Sequence, residues 1–144
     1  MTIIRRDGTL FRQLNEGWNA EPVDPELSVS LQGADLVVSL RPNRYQFPEY
    51  LGISWIALTF RSCSRYRIGK TNDEGWYLGQ CRFSRFAPAW GEFYEVSGNL
   101  RLEKLEDDWI FLAPLAEASK HYLFYMKDET FECDALGSSK EELR

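Results

Sequence analysis

The feature that most constrains this chain is alternation. Apolar and polar residues trade places with a period of two through much of its length, which is the pattern of strands with one face buried. Leu27, Val29 and Leu31 alternate with Ser28, Ser30 and Gln32. Gly33-Ala34 then turns the chain, and Asp35 to Arg41 runs back through Leu36-Val37-Val38-Ser39-Leu40, a hairpin signal. Ile53 to Phe60 is apolar on both faces, as a covered central strand would be. Arg61 to Ile68 reads as a further extended run, followed by a polar turn at Lys70 to Gly75 and a returning strand at Trp76 to Phe83. Gly91 to Val96, Leu100 to Leu105 and Trp109 to Ala113 continue the series.

The C-terminal third holds the plainest hairpin. With Asp128-Glu129 as a two-residue turn, Met126 opposes Phe131, Phe124 opposes Cys133 and Tyr122 opposes Ala135, all on one face. The other face carries His121, Leu123, Tyr125, Glu132 and Asp134. Helix signals are few. Thr9 to Glu16 suits a short helix capped by Thr9 and stopped by Gly17, and Pro114 to Ser119 a turn or two. The expected fold is α+β, predominantly antiparallel β, as a curled sheet or barrel-like meander with one or two short helices. A single globular domain is expected over residues 1–137, with 138–144 a frayed helix or flexible tail.

Composition narrows the function classes. Five Trp, seven Tyr and nine Phe in 144 residues supply a large core, so neither disulfide nor metal is needed for folding. Cys63, Cys81 and Cys133 are widely spaced with no Cys-X-X-Cys, and read as reduced, buried thiols. No apolar run approaches a bilayer span, and the N-terminus turns charged at Arg5 without a signal-peptide core; a cytoplasmic protein without membrane contact is expected.

Motifs for chemistry are thin. Gly69-Lys70-Thr71 resembles the end of a phosphate-binding loop, but Ser64 stands where the earlier glycine belongs and no helix signal follows. His121, Glu132 and Asp134 can share a face, yet a zinc site wants more His or Cys, and a solvated mixed face explains them. A Ser/His/Asp or Cys/His arrangement would have to use His121, the single histidine, and no Gly-X-Ser-X-Gly frames a nucleophile. No enzyme activity, cofactor or metal is expected.

Charge is unevenly spread. The chain carries a net −5, yet residues 41–85 hold eight basic residues against three acids, a local excess of five. Arg65, Tyr66, Arg67, Arg82 and Arg85 interleave guanidinium groups with aromatics in that region, and they are the candidate partner-binding residues. Such a surface suits an acidic protein patch, or single-stranded nucleic acid, which the pI near 5.0 disfavours. The reading is a non-enzymatic binding protein, of the inhibitor or toxin-neutralising immunity type. The alternatives are a β-barrel around a small apolar ligand and a single-strand nucleic-acid binder using residues 61–86.

Overall fold

A computed structural model describes residues 3–6, 8–69, 91–98, 108–126 and 129–144. Eleven strands are present among them: β1 (Ile3–Arg6), β2 (Thr9–Gln13), β3 (Ser28–Gln32), β4 (Asp35–Leu40), β5 (Trp55–Arg61), β6 (Arg65–Gly69), β7 (Phe93–Gly98), β8 (Ile110–Phe111), β9 (Lys120–Tyr125), β10 (Thr130–Ala135) and β11 (Gly137–Leu143). They form two antiparallel sheets. One has seven strands in the order β1-β2-β7-β9-β10-β6-β8, the other four in the order β11-β5-β4-β3. Neither closes, so the barrel-like expectation gives way to two open sheets.

The sheets face each other across one aromatic core. Phe60 of β5 meets Phe93 at 6.0 Å, Tyr122 at 5.2 Å and Phe131 at 5.2 Å between ring centroids. Phe93 stacks on Phe124 at 5.1 Å, and Trp18 closes the cluster edge-on to Phe124. Cys63 and Cys133 lie in the same core as free thiols; Cys81 is outside the described residues. Rings held near-perpendicular or offset gain about 0.5–1.5 kcal/mol per pair beyond area burial.

Local chemistry explains the turns. Gly33 takes φ +63 as the first residue of the two-residue β3–β4 turn, the mirror-image turn whose twist suits a hairpin. At Ser62 the backbone enters the left-handed region (φ +50), and its N–H donates to Asp35 Oδ1 at 3.0 Å. The continuous extension expected from Arg61 to Ile68 breaks there, and the chain leaves one sheet for the other. β10 to β11 makes the return crossing beside it, with Leu136 N–H donating to Arg61 O at 2.8 Å.

Several sequence expectations are corrected. Thr9 to Glu16 is not a helix: its first five residues are strand β2, paired to both β1 and β7. Pro114 to Ser119 is a non-helical connection, and the described helix is one 3₁₀ turn at Pro48–Tyr50. The C-terminal hairpin exists, but Phe131 pairs with Phe124 and Cys133 with Tyr122, two residues from the expected register. β9 ends at Tyr125 and β10 begins at Thr130, so the connection is four residues rather than Asp128-Glu129 alone, and within it Met126 N–H donates to Glu129 O; Lys127 and Asp128 are outside the described residues. A slip of two keeps every side chain on its face, and Tyr122, Phe124, Met126, Phe131, Cys133 and Ala135 are all buried. The turn at 70–75 and the strands at 76–83 and 100–105 also lie outside the described residues.

Residues 138–144 are neither helix nor loose tail. β11 pairs with β5 from Gly137 opposite Arg61 to Leu143 opposite Trp55. Removing residues 138–144 should therefore lower the melting temperature by at least about 5 °C. Thermal unfolding followed by circular dichroism checks this; an unchanged melting temperature would mark β11 as dispensable.

Candidate functional site

The seven-stranded sheet is buried on both faces at its centre: every residue of β10, and all of β9 but Lys120, is buried. Odd positions of β10 enter the aromatic core, so even positions point to the outer face. In register, Asp134 stands between Arg65 of β6 and His121 of β9, and Glu132 stands between Arg67 and Leu123. The same row as Asp134 continues through Val96 and Phe11 on one side and Phe111 on the other. Pairing thus assembles charged side chains in the middle of an apolar row.

These charges form an alternating chain. Arg65 Nε donates to Asp134 Oδ2 at 2.5 Å. His121 Nδ1 lies 2.9 Å from Asp134 Oδ1, and His121 Nε2 lies 2.8 Å from Glu132 Oε1. Arg67 Nη1 donates to Glu132 Oε2 at 2.8 Å, and Arg67 Nε donates to Asp108 Oδ1 at 2.6 Å. A histidine with a carboxylate at each nitrogen satisfies both only as the imidazolium, donating twice. Among the described residues three cations then alternate with three anions. Trp109 covers it, with its ring 4.2 Å from the Arg65 guanidinium carbon and 6.1 Å from the His121 ring.

Titration follows from this geometry. Burial works to lower the His121 pKa, but the hydrogen bonds and charges of Asp134 and Glu132 outweigh it and raise the value above the ordinary 6.5. Burial works to raise Asp134, yet His121 and Arg65 hold its carboxyl below the ordinary 3.8. Burial likewise opposes the Arg67 charge, and Asp108 and Glu132 overcome it, so the guanidinium is held more firmly protonated than usual.

Gly69 makes room for this arrangement. A Cβ at Gly69 would stand 2.9 Å from Arg67 Cζ, because the guanidinium folds back across the glycine. The glycine of the Gly69-Lys70-Thr71 triplet thus serves a side chain of its own strand; Lys70 and Thr71 lie outside the described residues.

Beside the cluster opens a groove of about 820 Å³. Its floor includes Arg65, His121, Asp134 and Val96, and the connection from β8 to β9 forms the other wall with Pro114 and Leu115. Backbone bonds from Leu112 and Ala113 N–H to Ser64 O tie that wall to the start of β6. Phe111 and Leu115 line the groove yet are 73% and 62% exposed. Lys120 stands at the rim, 3.7 Å from Glu95.

The expected binding residues are distributed unevenly. Arg65 lines the groove, whereas Arg67 is buried and bound to Glu132 and Asp108. Tyr66 points to the opposite face, packed on the core, and Arg82 and Arg85 lie outside the described residues. The solvated face expected for His121, Glu132 and Asp134 is corrected: all three are buried. Their contacts are hydrogen bonds from one ring to two carboxylates, and among the described residues no group of His, Cys, Asp or Glu is arranged to hold a metal ion. Sequence reading missed Asp108, Trp109, Phe111 and Leu115. The signal for the cluster was the matched spacing of Arg65-X-Arg67 and Glu132-X-Asp134.

His121 binds its proton more tightly when folded, so its contribution is complete below about pH 6.5 and fades as pH rises through the higher folded pKa. Asp134 contributes above about pH 3.8 and fades as pH falls through its lowered folded pKa. The melting temperature should be highest between these limits and decline above pH 6.5. In His121→Gln that alkaline decline should be absent, and a pH series of melting curves reads it directly.

Arg67→Met removes the guanidinium that Glu132 and Asp108 share and should cost about 3–5 kcal/mol. Gly69→Ala, by pushing the same guanidinium aside, should cost about 1–3 kcal/mol. Urea unfolding measures both, and a neutral Gly69→Ala would mean that Arg67 has another place to lie.

Comparison with protein-family models, curated proteins and solved structures finds no match, and the groove with its charged floor is therefore the basis for reading function.

Proposed function

We infer that this is a non-enzymatic binding protein, of the inhibitor or immunity type, that takes a protein partner in the groove between the Arg65–Asp134–His121 row and the β8–β9 connection. One observation carries the reading: Phe111 and Leu115, two large apolar side chains, line one groove and stand mostly in solvent. Exposed apolar residues gathered in a concavity mark interaction sites more often than single exposed residues do, and aromatic anchors dominate interface energetics.

The chemistry around the groove supports binding over catalysis. His121 is 3% exposed with both ring nitrogens engaged, so it has no free lone pair to act as a base. Cys63 and Cys133 are sealed in the core. The Glu92 carboxyl is raised by burial, but Asn15 Nδ2 and Gln13 Nε2 donate to it at 2.6 and 2.8 Å and fix it as a strap between β2 and β7. A partner would bury Phe111 and Leu115, while its carboxylates would meet Lys120 and the outer edge of Arg65. On this reading the acidic partner expected from the basic excess would meet a smaller set of cations. The small-ligand barrel has less support, since neither sheet closes and the space between them holds packed rings.

A photo-crosslinking residue in place of Phe111 or Leu115, expressed in the native cell, should capture a discrete protein. Adding Leu115→Asp to the Phe111 probe should abolish the adduct while circular dichroism stays unchanged. The same probe at Lys140, on the other sheet, should yield none. Equal capture at all three positions would overturn the reading.

A further inference from the structure

Among the described residues the two sheets end in four edges, β1 and β8, and β11 and β3. A free edge presents unpaired backbone donors and acceptors, and proteins blunt it with shortness, charge or cover. β8 is two residues long, and β1 reads Ile-Ile-Arg-Arg. β11 carries Lys140, Glu141 and Glu142 along its run. β3 has none of these devices. It reads Ser-Val-Ser-Leu-Gln, without charge or proline, in unbroken register with β4. It also lies open. Ser28, Ser30, Leu31 and Gln32 are exposed, and Leu31 is 55% exposed although it sits opposite buried Leu36.

The geometry points to a second copy of this chain as the occupant of that edge. The two β3 strands pair antiparallel about a two-fold axis at Ser30 and join two four-stranded sheets into one of eight. An isologous contact must be self-complementary, and β3 is. About Ser30, Val29 faces Leu31 of the second copy, Ser28 faces its Gln32, and Ser30 faces its own equivalent. Val29 and Leu31 share the side of the sheet that carries Val38 and Leu36. Two apolar cross-strand pairs therefore form on one face, and each covers the Leu31 that β4 alone leaves in solvent. No like charges meet across the axis. Glu26, just before the strand, is neutralised by Arg41 at 3.0 Å.

The contact is small, so the dimer is weak. Each copy also carries a net −5, which opposes approach, so added salt should strengthen the pairing. This response is opposite in sign to that of a partner held by complementary charge.

Sedimentation velocity over a concentration series tests the proposal. The wild type should show a monomer–dimer equilibrium with a dissociation constant of roughly 10–100 µM, tighter at high salt. Ser30→Lys sets two ammonium groups across the axis and should sediment as a monomer throughout, with an unchanged circular dichroism spectrum. Leu31→Glu, on the other side of the same strand, should do the same, so the result does not depend on one variant folding. Ser139→Lys, the matching change on the β11 edge, and Phe111→Asp in the groove should dimerise as the wild type does. A wild type that stays monomeric at about 1 mM, including one that instead takes up an added extended peptide, overturns the proposal. So does a dimer that survives both β3 variants, or one lost on changing Ser139 or Phe111.

Discussion

The outer face of the seven-stranded sheet depends on the pairing of β6 with β10. In the register seen, Arg65 sits beside Asp134 and Arg67 beside Glu132. A slip of β6 by one residue would turn Arg65 and Arg67 into the aromatic core, away from Asp134 and Glu132. A slip of two would keep the faces but leave charges at both ends without partners. The apolar residues of the other face cannot make the second distinction, because Tyr66 and Ile68 would meet apolar neighbours either way. Charge therefore discriminates where hydrophobicity cannot. Ion pairs this deep are poor sources of net stability, since desolvation offsets most of their attraction. Their value here is in choosing one alignment among several.

That choice also fixes the groove. His121 enters the cluster because β9 pairs on the far side of β10, and Trp109 covers it because β8 pairs with the far edge of β6. The connection between β8 and β9 must then pass over the ends of β6 and β10, and it leaves the concavity lined by Phe111 and Leu115. The polar floor is internally satisfied, so a partner would not have to strip water from a naked charge there. What it gains is burial of two apolar side chains against a rigid base.

How much of this could be read from the sequence differs by element. The β3–β4 hairpin was legible because Gly33 and strict alternation are local signals. The buried set of the β9–β10 hairpin was legible too, although its register was not, since period two is blind to a shift of two. Thr9 to Glu16 suits a short helix from sequence alone, because Phe11 and Leu14 fall on one helical face. Pairing with β1 and β7 decides for strand instead, and that is information held far away in the chain. β11 left almost no trace. An edge strand facing water needs no apolar pattern, so Ser138 to Glu142 read as a tail. The two halves of the charged cluster were each visible as Arg-X-Arg and Glu-X-Asp, but nothing local says that they meet.

β5 lies between β4 and β11, and its second neighbour comes late. Gly137 pairs with Arg61, 76 positions upstream. During synthesis the β3–β4–β5 meander can form as soon as it leaves the ribosome, while the β11 side of β5 has no occupant. Ile56, Ala57, Leu58 and Phe60 then belong to an apolar, unguarded strand for as long as the following stretch takes to emerge. At roughly 5–20 residues per second that interval is on the order of 4–15 s. Throughout it, a nascent chain on a neighbouring ribosome offers the same strand. Translation speed through the second half of the message is thus a physical variable for this fold, and a chaperone that masks β5 would act on the chain's most vulnerable interval.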